Sequence, residues 1–161
     1  MHVHINTRFP LFLCVAATAF LIVMSFILHK TNTEWKPVPL DMPVISAAEA
    51  NVVWEQKLDE TNESWLINGA VYRKGQIVLR SDTWVVLFDS QSGRYMRIPT
   101  ATNYRDDITQ KEADRVNYRG SGYLCRIQKN LLEPGIDYGV YLLYRDGRTD
   151  TLIDTGKTVR K

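Results

Sequence analysis

From residue 30 onward this chain has no histidine, because His2, His4 and His29 are its only three. That absence excludes a Ser-His-Asp or Cys-His catalytic arrangement and the usual zinc ligand sets. Cysteine is almost as scarce: Cys14 and Cys125 are the only two. They fall in segments that cannot meet, so the fold must stand on its apolar core without a disulfide. No glycine-rich phosphate loop and no EF-hand spacing occurs. No cofactor, no metal site and no catalytic residue is therefore expected.

An excess of charge of either sign is missing too. Of the 20 Lys and Arg, only Arg8 and Lys30 precede residue 31, so 18 basic side chains face all 18 Asp and Glu beyond it. Nucleic-acid binding is dominated by phosphate neutralisation and needs a basic patch. A neutral segment excludes that partner. Residues 10–28, PLFLCVAATAFLIVMSFIL, lack charge and glycine altogether. At ~1.5 Å rise per residue such a run extends roughly 28 Å as a helix, close to the ~30 Å hydrocarbon thickness of a bilayer.

The run predicts a membrane anchor over 10–30, preceded by a short cytoplasmic tail at 1–9. A cleaved signal peptide is the rival, but the only small-x-small site, Ala17-Thr18-Ala19, would leave FLIVMSFIL as a new amino terminus. The short inner flank, and Glu34 and Asp41 offsetting Lys30 and Lys36, favour an amino terminus inside and a domain outside. The expected localisation is a single-pass membrane protein with an extracytoplasmic domain. Residues 31–46, TNTEWKPVPLDMPVIS, hold Pro37, Pro39 and Pro43 and read as a stalk. Trp35 there suits either the headgroup zone or packing on the domain.

Residues 47–161 suffice for one core. The apolar pattern has period two with frequent turn residues, which indicates antiparallel sheet. Strands are expected in NVVWEQKL, SWLINGAVYR, QIVLR, TWVVLFD, RYMRI, GYLCRI, DYGVYLLYR and DTLID, with a polar crossover over 103–119. A short helix competes for the first, since Ser46 and Glu49 form an S-x-x-E capping box. In GYLCRI the residues Tyr123, Cys125 and Ile127 share the face assigned to the core. The expected fold class is all-β, a single immunoglobulin-like antiparallel β-sandwich preceded by one transmembrane helix.

The succession INGAVYRKG, IVLRSDTWVVLFDS, YRDDIT, GSGYLCRI, LLEPGIDYGVYLLYRDG, covering about residues 64–156, resembles bacterial extracytoplasmic β-sandwich accessory domains. These domains are associated with multi-pass membrane proteins of cell-envelope glycan assembly. Ala70 and Val71 stand where the pattern has Trp-Ala, Asp106 where it has proline, and Tyr123 where it has Phe. The family has no established activity. The resemblance implies an accessory role, with Arg105, Asp107 and Thr109 matching its Arg-x-Asp-Val-Thr part.

Those three residues, with Tyr104 and Tyr95 beside them, form the candidate binding or structural loop. Arg105 either clamps an acidic group bidentately or pairs with Asp107 or Asp82 to pin the crossover. Tyr95, Tyr104 and Tyr118 offer rings for stacking on sugar. Carboxylate pairs for glycoside hydrolysis reduce to Asp106-Asp107 and Asp82/Asp89, and adjacent Asp residues are mainly turn formers. The expected function is a membrane-anchored binding or interaction module, not an enzyme, accessory to a glycan or membrane-protein assembly. Its expected partners are the membrane through 10–28, a membrane protein and a glycan. The alternative is a carbohydrate-active enzyme working through carboxylates.

Overall fold

The computed structural model describes residues 8–161 with the exception of 40, 41, 43 and 148. Most of the expected cytoplasmic tail, residues 1–7, thus lies outside the described residues. The chain divides between Glu34 and Trp35 into two compact units. The first is a helix, α1 (Arg8–Thr33). The second is built of β-strands: β1 (Lys36–Pro37), β2 (Val44–Ile45), β3 (Val53–Glu60), β4 (Ser64–Tyr72), β5 (Thr83–Asp89), β6 (Arg94–Arg97), β7 (Thr100–Asn103), β8 (Gly122–Gln128), β9 (Tyr138–Asp146) and β10 (Thr149–Val159). One further helix, α2 (Asp106–Lys111), interrupts them.

The anchor expected from the sequence is not supported: among the described residues no helix is long and apolar enough to cross a membrane. The preceding transmembrane helix, the signal-anchor and the single-pass localisation fall with it.

Two sheets carry the second unit. A six-stranded sheet has the order β1-β6-β5-β9-β10-β2, and a four-stranded sheet the order β3-β4-β8-β7. Every pair is antiparallel except β2 with β10. The inner faces meet in one core, as alternation requires: Ile67 and Val71 from β4, Tyr123, Cys125 and Ile127 from β8, Val85 and Leu87 from β5, Val140 and Leu142 from β9. Tyr123, Cys125 and Ile127 are all buried, on the face expected for them. The β-rich expectation and the assignment of the TWVVLFD and GYLCRI strands therefore hold.

Three local expectations change. QIVLR forms no strand. Only Val78 turns inward, and both of its main-chain groups bond to one loop, its amide to the Asn117 carbonyl oxygen and its carbonyl oxygen to the Gly120 amide. Ile77 and Leu79 stand exposed on either side. The Ser46–Glu49 capping box does form, with the Ser46 amide donating to Glu49 Oε2 at 2.8 Å and the Glu49 amide donating to Ser46 Oγ at 3.2 Å. It caps a single turn rather than a helix, because Asn51 takes φ 53° and turns the chain into β3.

The proline-rich segment is no free stalk. Lys36–Pro37 pairs with β6 at one edge of the large sheet and Val44–Ile45 with β10 at the other. Between them Val38 and Met42 pack on the outer face of that sheet, against Val86, Leu143, Trp84 and Tyr141. Trp35 packs on the main core.

Candidate functional site

The outer face of the small sheet is built of two rows in register. Glu55, Ala70, Gly122 and Asn103 stand side by side across β3, β4, β8 and β7, and Lys57, Asn68, Leu124 and Ala101 form the next row. In the first row the two middle residues are small, which leaves a trough. The Arg105 side chain lies over it: a Cβ on Gly122 would come within 2.6 Å of Arg105 Cγ and 1.9 Å of the Asn103 carbonyl oxygen. Only glycine fits there.

Arg105 follows β7 and is fixed at its amide, which donates to the Arg119 carbonyl oxygen at 2.8 Å. Its guanidinium then forks. Nε and Nη2 donate to Asp107 Oδ1 and Oδ2 at 2.8 and 2.6 Å, and Nη2 also donates to Glu55 Oε1 at 2.5 Å. The hydrogen bond from Arg105 holds the Asp107 carboxyl below its ordinary range, and the same bond pushes Arg105 up. The partners are thus Asp107, as the sequence suggested, and Glu55, which it did not; Asp82 is elsewhere, its carbonyl oxygen accepting from the Arg145 amide.

Thr109 is structural: its Oγ1 accepts from the Tyr118 amide at 2.9 Å. Tyr118 is fully buried, its ring centroid 4.6 Å from that of Tyr72, beneath Ile108 and beside Ala70. Tyr118 Oη donates to Asp114 and accepts from the Gly75 amide, while Tyr72 Oη donates to Glu112 Oε1 at 2.7 Å. Burial pushes both phenols up, and the phenol bonds hold Glu112 and Asp114 down. This latch clamps the 103–119 crossover, which contains α2 rather than loop alone.

Tyr104 is exposed beside the fork, with the Arg119 guanidinium 5.1 Å above its ring. Tyr95 is not brought there. It lies on β6, in the other sheet, against Phe88 and Tyr141 at 4.6 and 5.4 Å. The paired carboxylates are engaged in structure as well: Asp106 pairs with Arg119 at 3.1 Å, and Asp89 accepts from the Gln91 and Ser92 amides at 2.9 and 3.2 Å. Among the described residues no group of three His, Cys, Asp or Glu is placed to hold a metal ion.

A cleft of about 380 Å³ opens next to the Arg105 arm, lined by Glu55, Lys57, Asn68, Gly69, Asn103 and Arg105. All of these but Arg105 escaped sequence reasoning. One signal was available: Asn68-Gly69 is a turn dipeptide placed inside the expected strand SWLINGAVYR, where glycine marks close backbone approach. A Cβ on Gly69 would lie 2.1 Å from the Glu55 carbonyl oxygen and 2.6 Å from Tyr123 Oη. Comparison with protein-family models, characterised proteins and solved structures finds no match to this chain. The geometry alone carries the functional reading.

Proposed function

We propose that residues 35–161 form a non-catalytic β-sandwich binding module, and that the cleft beside Arg105 is its ligand site. The observation that carries this reading is the pre-organised arm: a guanidinium fixed by two carboxylates walls a recess whose other side chains are polar and close together. Such a recess with convergent polar groups is the ordinary form of a ligand site. The two held-down carboxyls, Asp89 and Asp107, support binding over acid catalysis, because a general acid needs its pKa raised. Accessory service to glycan assembly is the setting suggested by the sequence resemblance.

The test is amide chemical-shift mapping of the full chain against a panel of soluble cell-wall fragments. Perturbations concentrated at Glu55, Lys57, Asn68, Gly69, Asn103 and Arg105 are expected. Shifts confined to the large sheet, or none with any fragment, refute the assignment.

A further inference from the structure

We infer that the cleft takes an uncharged, hydroxyl-rich ligand, a neutral saccharide unit, rather than an acidic one; this rests on the reading of the cleft as the ligand site. The charged groups of the cleft are already engaged. Arg105, the obvious clamp for an acid, has Nε and Nη2 donated to Asp107 and Glu55. An incoming carboxylate or phosphate would have to displace a protein carboxylate, and it would meet both Glu55 and Asp107 at close range. The other cation, Lys57, has Asp59 at 3.0 Å. Two cations thus face three carboxylates, and the site holds no spare positive charge for an acid.

The amides are free. Among the described residues neither the Asn68 nor the Asn103 side chain makes a hydrogen bond, although both line the cleft and are half-buried. Each carboxamide offers two donors and an acceptor, and Glu55 adds acceptor capacity beside them. Hydroxyl groups, which donate and accept at once, match that set; a carboxylate, which only accepts, does not. Asn is also disfavoured within strands, yet Asn68 occupies an interior position of β4, opposite Leu124. Leu124 is exposed at 37% and presents an apolar surface next to the amide. A pyranose, with hydroxyls at its rim and C–H groups on its faces, satisfies both neighbours.

The experiment titrates the full chain with two probes of equal length, a neutral N-acetylglucosamine tetramer and an acidic galacturonate tetramer, following the Asn68 and Asn103 side-chain amide resonances. The neutral probe is expected to shift both amides, and Asn68→Ala to weaken it about tenfold, the scale of one neutral hydrogen bond, with the melting temperature unchanged. Asn103→Ser tests the second amide independently. Binding of the acidic probe in the cleft with none of the neutral one overturns the inference and leaves the binding reading standing. Binding of neither overturns both.

Discussion

Gly122 and Arg105 are locked together: the glycine's missing Cβ is the space through which the arginine passes, since that atom would stand 2.6 Å from Arg105 Cγ. The Arg105 fork exists because β8 begins with a residue that has no side chain. Gly122→Ala is expected to displace the arm and crowd the Asn103 carbonyl oxygen. Its cost should reach about 3 kcal/mol, the upper end for overpacking, measured by denaturant unfolding. A variant as stable as the parent sinks this account of the glycine.

Arg105→Ala removes all three bonds of the fork and leaves Glu55 facing the trough alone. The guanidinium is 19% exposed but its partners are 40% and 62% exposed, so solvent screening limits the loss to about 1–2 kcal/mol. Arg105→Lys should recover less than half, because an ammonium lacks the planar donor pair that meets Asp107 bidentately. Full recovery by lysine in thermal unfolding would show that charge alone matters.

Tyr123 carries a hydroxyl that is buried without a partner among the described residues, as are both amide atoms of Gln56, across from Gly69 in the register. An unpaired buried polar group costs about 1–3 kcal/mol. Tyr123→Phe, the residue that the resembled pattern has here, is expected to raise stability by about 1 kcal/mol. A clear loss in chemical denaturation would mean that the hydroxyl has a bonding role.

Acid should loosen the crossover. Asp107, Glu112 and Asp114 are held below their ordinary range by bonds to Arg105, Tyr72 and Tyr118, so folding depresses their pKa values. The stabilisation is fully present above the unfolded values of about 3.9–4.3 and is lost as pH falls through the folded ones. Melting temperatures should be flat from pH 7 to about 5 and drop below about 4, with hydrogen exchange rising first over 103–119. A decline beginning above pH 6 contradicts this origin.

The two thiols should separate cleanly. Cys14 is exposed, and Cys125 is buried, its thiol pushed up to about 12 chiefly by desolvation. Thiolate is the reactive form. Maleimide at pH 7.5 should add one label to the folded chain, at Cys14, and two in denaturant. Rapid double labelling of the native protein would place Cys125 at the surface.

Period-two alternation sufficed to locate most long strands, because a strand buried on one face writes that burial into every second residue, as Tyr123, Cys125 and Ile127 do. It misled at QIVLR, where Val78 alone is partly buried and packs on a satellite cluster instead of joining a sheet. The apolar run over 10–28 misled as well, since among the described residues no helix is long and apolar enough to cross a membrane. The Arg105–Asp107 pair was readable because two positions separate them. Glu55 was not, since it is fifty positions away and only sheet register brings β3 across from Gly122. The cleft inherits that invisibility, being made of residues from β3, β4 and β7 and from the segment after β7.

The edge strands have a kinetic side. Val44 pairs with Leu152, 108 positions away, and Pro37 with Met96. Contacts so distant in sequence must meet the entropy of closing long loops before they return any stability. The β5–β6 and β9–β10 hairpins close locally and are expected to form first, and the two short strands β1 and β2 to arrive last, one at each edge. Until they do, a folding chain presents two unpaired edges and the bare Trp84–Tyr141 face to its neighbours. A chain shortened to begin at residue 47 would keep that intermediate's exposed edges permanently.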